Sequence, residues 1–306
     1  MSSIIRLGVV DCDGIHAVAF TQRLNHVDDV GSDHWVNGAR VVVACPGISV
    51  AEPENVERNS KQLRAYGVPL VDQPSDLIGL VDAVLITSHD GTVHLERSLP
   101  FLEASLPLFI DKPFTCSVGQ ARQLLETAER RKVLLWSASS LRFAPEVQDL
   151  QARSEEIGSL AGAATYGPAH RHSRNPGLFH YGVHAVELLF QLLGTGCSTV
   201  RMVSSEDTDV AIGQWSDGRT GTVRGTRSGA HAFGLTAFGE EKTVGTRIAG
   251  TDRYLYRELL KRVVAAFQTG RAPLSPAELL EPVAFQEAAL QSAQQDGAAV
   301  PLATAS

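Results

Sequence analysis

The chain has 306 residues, 43% hydrophobic and 20% charged, which suits about two domains with proper cores and is too apolar for a disordered chain. The formal net charge of −7 argues against a nucleic-acid binder, which needs a basic face, but leaves room for a locally positive nucleotide pocket. No apolar run approaches the roughly 20 residues that span a bilayer. The N-terminus lacks a signal-peptide pattern, and Cys12, Cys45, Cys116 and Cys197 form no CxxC pair. The expectation is therefore a cytoplasmic protein that binds no membrane.

Residues 4–10 form a short apolar run, as in a buried parallel strand. Asp11-Cys12-Asp13-Gly14 then turns the chain into a helix over 16–25. A second buried strand, 41–45, stops at Pro46-Gly47. A helix over 54–66 follows, then a short third strand over 68–71 and a short helix over 74–80. Residues 81–87, VDAVLIT, are a strong strand. A helix over 93–103 leads to strand 108–110 and Asp111-Lys112-Pro113, then helix 118–131 and strand 133–136. Strands alternating with helices predict a doubly wound parallel sheet of Rossmann type, over 1–137, which binds ligands beyond the carboxyl ends of its strands.

A dinucleotide fold usually carries GxGxxG after its first strand, where glycines let the backbone approach the pyrophosphate. Here Asp11, Asp13 and His16 hold those positions, and Gly14 lies one place off. Two carboxylates would repel a pyrophosphate unless protonated, turned away or paired with His16. Strand 41–45 also lacks the acid that usually binds the adenosine ribose.

The second domain is expected over 138–306. It opens with a helix over 143–157 and strand 160–166. A loop over 167–179 carries His170, Arg171, His172 and Arg174. Strands over 199–203, 209–215, 221–227, 230–238 and 242–248 follow, with Ser216-Asp217-Gly218 as a hairpin turn. Helices over 254–268 and 276–294 complete an α+β domain with an open, largely antiparallel sheet. Before those strands, 180–194 reads as a helix with an apolar stripe and a second stripe of His180, His184, Glu187 and Gln191. That second stripe fits a solvated face, proton transfer or metal binding.

Three features together resemble the Gfo/Idh/MocA family of sugar and inositol dehydrogenases. VDAVLITSHDGTVH carries His94 after its strand, Asp111-Lys112-Pro113 stands for the family's Glu-Lys-Pro, and Gly182-x-His184-x-x-Glu187 stands for its Gly-x-His-x-x-Asp. The first loop, DCDGIHAVAF, resembles a branch with aspartate and histidine in place of glycines. The resemblance implies a Rossmann domain, NAD or NADP as cofactor, and a second domain whose open sheet face serves as an oligomer contact, in a homodimer or homotetramer. It implies an oxidoreductase moving hydride between the cofactor and a hydroxyl carbon of a sugar, cyclitol or related polyol.

Under that reading Asp11, Asp13, Gly14, Ile15, His16, Thr87, His89, His94, Asp111, Lys112 and Pro113 lie at the cofactor. Lys112, His184 and His180 are the catalytic candidates, with His184 as general base. The family's acid one turn before that histidine is His180 here. Arg142, His172, His180 and Glu187 are expected at the substrate. No metal ligand set is assigned. Two alternatives stay open: a relative without cofactor acting as a binding protein, and a metal-dependent isomerase, lyase or hydrolase using the histidines.

Overall fold

A computed structural model of the protein describes residues 4–249 and 252–303. It divides into two compact units. The first comprises 1–115, 120–138 and 251–275, and the second comprises 116–119, 139–250 and 276–306. The expected boundary near Ser137 and this division differ over 116–119, which lie with the second unit, and over 251–275, which lie with the first.

In the first unit β1 (Ile5–Val10), β2 (Ala39–Cys45), β3 (Ala83–Ile86), β4 (Leu108–Ile110) and β5 (Leu135–Ser137) form a parallel sheet of order β2-β1-β3-β4-β5. Leu7, Val9, Val10, Leu85, Ile86, Phe109 and Ile110 are fully buried, which is why these strands read as continuous apolar runs. The connecting helices are α1 (His16–Leu24), α2 (Pro53–Ala65), α3 (His94–Glu103) and α4 (Val118–Arg131). The expected strand over 68–71 is only a bridge, Ala44 to Leu70. Pro69 offers its carbonyl to Ala44 N–H but has no N–H of its own.

The second unit opens differently from the expected single helix. A 3₁₀ turn over Ser140–Phe143 gives way to α5 (Pro145–Ala152) and the one-turn α6 (Ser154–Ile157). Pro145 causes the break, because the residue before a proline is driven out of helical geometry, and Ala144 has ψ 145°. The sheet contains β6 (Leu160–Pro168), followed through α7 (Val183–Leu193) by β7 (Cys197–Ser204), β8 (Thr208–Trp215), β9 (Thr220–Thr226), β10 (Gly234–Gly239) and β11 (Thr243–Arg247). The chain returns to the first unit as α8 (Asp252–Thr269) and ends in the second with α9 (Pro276–Gln294) and β12 (Val300–Pro301). The strand order is β11-β10-β6-β9-β8-β7-β12. Neighbours are antiparallel except β6 and β9, so the sheet is mixed and mostly antiparallel. The strand expected from 230 starts only at Gly234. Gly218, at φ 94°, closes the expected hairpin between β8 and β9.

Candidate functional site

Within the first unit the strand order reverses between β1 and β3, and a doubly wound sheet binds ligands at that point. The loop after β1 begins with Asp11 at φ 63°, a left-handed conformation that aspartate tolerates better than most residues. Both loop carboxylates are held inside the protein. Asp11 Oδ2 accepts from Ser88 Oγ at 2.5 Å and Arg97 Nε at 2.9 Å. Asp13 Oδ1 accepts from His89 N–H at 2.9 Å. Burial raises the Asp11 carboxyl above its ordinary pKa, against the opposing pull of Ser88 and Arg97.

The loop carbonyls are also taken. Buried Asn59 on α2 donates to Cys12 O at 2.7 Å and Gly14 O at 3.0 Å, and Thr87 Oγ1 donates to Asp11 O at 2.6 Å. In a trans peptide the N–H points opposite to its carbonyl. The Asp13 and Ile15 N–H groups therefore point away from Asn59. The loop fits a dinucleotide despite its missing glycines. One oxygen of each carboxylate is bound inside the protein, and the loop's peptide dipoles are oriented by side chains.

His16 does not pair with either loop aspartate. Its Nδ1 meets Asp111 Oδ2 at 2.5 Å and its Nε2 meets Tyr256 Oη at 3.1 Å. Burial alone would raise the Asp111 carboxyl, but the His16 and Lys112 charges and hydrogen bonds outweigh it and hold the group well below the ordinary carboxylate range. Lys112 is 6% exposed. Among the described residues its ammonium has no hydrogen-bond or ion-pair partner. His89 Nδ1 meets Glu52 at 2.7 Å. Burial, then the Lys112 charge, hold its imidazole below the usual pKa. His94 is wholly buried, with Nδ1 2.8 Å from Pro113 O and Nε2 3.0 Å from Ser88 O, so it ties the two loops together. Ile15 leaves 54% of its surface exposed at the start of α1.

In the second unit, α7 starts at Val183, three residues later than expected. His180 lies ahead of the helix at ψ −95°, ending a 3₁₀ turn, and is not part of the helical stripe. Its ring stacks on His172 at 4.5 Å and 17°. The remaining stripe is not a solvated face. His184 and Glu187 are 9% and 6% exposed. Ser139 Oγ lies 2.7 Å from His184 Nδ1, and Ser139 N–H donates to Glu187 Oε2 at 2.7 Å. Arg142, 2% exposed, donates to the same oxygen at 2.6 Å and to Gln191 at 3.0 Å. Arg142 and Glu187, both expected at the substrate, are thus bonded to one another. Among the described residues, no three of His170, His172, His180, His184 and Glu187 bring ligand atoms close enough for one metal ion.

Ser139, Asn59, Ser88 and Arg97 escaped the sequence reading. Each is a single polar residue whose partner lies far away in the chain, and no spacing marks it.

Residues 42–139 match the family described as "Oxidoreductase family, NAD-binding Rossmann fold", that is, Gfo/Idh/MocA. Over this stretch the chain is similar to that family. The resemblance read from the motifs is therefore to the right family. The chain is 27% identical over 171 residues to the rhizopine catabolism protein MocA of Rhizobium meliloti, across 52% of this chain and 53% of that protein. It is 28% identical over 150 residues to inositol 2-dehydrogenase 3 of Saccharopolyspora erythraea, across 48% and 43%. The chain thus spans about half the length of the curated relatives it matches. Among solved structures it resembles scyllo-inositol dehydrogenase from Lactobacillus casei, bound to NAD(H) and scyllo-inositol, with TM-score 0.81 and 14% identity over 99% of this chain and all of that one. A probable dehydrogenase from Thermotoga maritima gives TM-score 0.80 and 18% identity over 97% and 99%. At those identities the likeness beyond residues 42–139 is one of fold.

Proposed function

We propose that the chain is an NAD-dependent dehydrogenase acting on a hydroxyl carbon of a cyclitol, sugar or related polyol. The observation that carries the reading is Lys112, a buried ammonium with no partner among the described residues, directly after β4 in the stretch similar to Gfo/Idh/MocA. An ammonium held out of water without a partner is costly, and a ligand oxygen would relieve the cost. The 11–16 loop, with Thr87, His89 and the 111–113 segment, holds the cofactor. When bound, the nicotinamide ring supplies the hydride acceptor. Lys112 donates to the substrate oxygen. His184, whose Nδ1 lies 2.7 Å from Ser139 Oγ, takes the hydroxyl proton. His172 and His180 bind substrate hydroxyls.

The printed substrates of the relatives, inositols among them, support a cyclitol as the first choice. The outward face of the second unit's sheet exposes Tyr166, Val203, Ile212 and Phe238, which supports assembly of a homodimer or homotetramer through it. Among the described residues no helix is long and apolar enough to cross a membrane. Four free cysteines support a reducing cytoplasm.

The test is to denature the purified protein, assay the supernatant for NAD(H), and follow cofactor reduction with a panel of inositols and hexoses. Released NAD(H) and turnover of a polyol are expected. A protein that neither carries nor binds the cofactor would refute the proposal.

A further inference from the structure

The chain as a whole is acidic, but the sign reverses locally. Between Glu156 and Glu187 there is no acidic residue, and the same stretch carries His170, Arg171, His172, Arg174, His180 and His184. The fold gathers these imidazoles. Between ring centroids, Tyr181 lies 5.0 Å from His180, 5.5 Å from His170 and 5.9 Å from His184. His180 stacks on His172 at 4.5 Å, and His170 reaches His231 at 4.8 Å. Five of the chain's ten histidines thus form one cluster about the start of α7. We propose that this cluster takes an anionic group of the substrate, a carboxylate or a phosphate ester carried by the polyol. The inference rests on the placement of His172 and His180 at the substrate above, and it names the class of polyol.

The hydrogen bonds around the cluster decide between a hydroxyl and an anion. His172 Nδ1 accepts from the Arg174 and Asn175 N–H groups, each at 3.2 Å. A ring nitrogen that accepts carries no proton, so the ring hydrogen is on Nε2 and that end of His172 is a donor. The carboxylates beside the cluster are each bound to an arginine. Glu187 Oε2 accepts from Arg142 Nε at 2.6 Å and from Ser139 N–H at 2.7 Å. Asp209, 3% exposed, accepts from Arg227 and from Ser204 Oγ, both at 2.5 Å, and Arg227 also reaches Ala169 O, next to His170, at 3.5 Å. One turn before His184, where the resemblance places an acid, stands His180. A hydroxyl both donates and accepts, so a pocket built for it supplies acceptors, whereas a carboxylate or a phosphate only accepts. A donor at His172 Nε2, neighbouring rings that gain positive charge on protonation, and carboxylates neutralised by arginine together favour the anion. Hydrogen bonds to a charged acceptor are also the stronger ones. Arg171 donates to Ser205 O at 3.2 Å, which leaves the imidazoles as the donors of the cluster.

Matched substrate sets test this: glucose, glucuronate and glucose 6-phosphate, and myo-inositol with an inositol monophosphate, at fixed NAD and constant ionic strength. An anionic member should exceed its neutral parent in kcat/KM by about tenfold or more, and the member that does so separates carboxylate from phosphate. The melting temperature gives a readout independent of turnover. The preferred anion should raise it, and the neutral parent at the same concentration should raise it less. His172→Asn keeps an oxygen for the Arg174 and Asn175 amides and removes the Nε2 donor, with folding checked by circular dichroism. In that variant the anion-to-neutral ratio of kcat/KM should fall about fivefold or more, and the anion's effect on melting should shrink. A neutral polyol turned over as efficiently as every anionic partner would overturn the inference and leave the proposed function standing. A melting temperature that no anion moves, or a preference unchanged in His172→Asn, would overturn it as well. If the protein binds no NAD(H) but an anion raises the melting temperature in a way that His172→Asn abolishes, the proposed function fails and the anion site stands.

Discussion

At the residue scale, two carboxylates with opposite shifts stand about one loop. Asp111 is held below its ordinary pKa because the His16 and Lys112 charges and hydrogen bonds outweigh its burial. The unfolded chain then binds more protons through the interval between the two values. The stabilisation is fully present above the ordinary carboxylate range and is lost as the pH falls below it. Asp111→Asn should cost about 3–5 kcal/mol near neutral pH, as expected when one partner of a buried pair is removed. In urea denaturation the gap from wild type should hold above the ordinary carboxylate range and narrow as the pH falls below about 4. Asp11 runs the other way. Its raised pKa contributes stability at low pH that fades as the pH rises past the ordinary carboxylate value. Lys112→Ala and His184→Ala should each lower kcat by about 10²-fold or more with the circular dichroism spectrum unchanged. Wild-type rates in either variant would remove that residue from the reaction.

At the scale of the element, α7 is organised by what precedes it. Gly182 ends the turn before the helix with unstrained φ, yet a Cβ there would come within 2.6 Å of Leu178 Cδ2 and 3.0 Å of its Cα. Only glycine lets the 3₁₀ turn pack onto the start of α7, which is a physical reason for the glycine of the Gly-x-His motif. Gly182→Ala should lower the stability by about 1–3 kcal/mol by overpacking, read as a drop in melting temperature. Arg142→Ala should cost about 3–5 kcal/mol, since it strands the buried Glu187 carboxylate. An Arg142→Ala protein as stable as wild type would mean that the carboxylate is neutral or finds another donor.

At the scale of the whole chain, the sheet of the second unit alternates inward and outward side chains, and Ile212 and Phe238 on its outward face are 45% and 42% exposed. Replacing both with glutamate should convert the proposed oligomer to monomer, measured by light scattering after size exclusion. A wild type that already runs as a monomer would end that proposal. The first unit also draws on a distant segment of chain. Tyr256 on α8 reaches His16, and Arg257 donates to Asp33 O at 2.7 Å. A fragment ending at residue 138 should therefore melt lower than one that also carries 251–275.

The alternation of apolar runs with amphipathic stretches was enough, by itself, to determine a Rossmann-type first unit and a mostly antiparallel second sheet, because periodicity and turn residues are local properties. The Asp-Lys-Pro and Gly-x-His motifs were legible for the same reason. Tertiary structure alone decided what the odd residues do. Asp11 and Asp13 read as obstacles to a phosphate until Ser88, Arg97 and the His89 amide were found holding them. His180 read as part of a helical stripe, but the turn over Gly177–Phe179 sets it ahead of α7. Ser139 lies 45 residues from His184, and no pattern in the chain announces a hydrogen bond between them. A pairing of two buried polar groups depends on where the backbone brings them, and that position is a property of the packed fold, not of the local sequence.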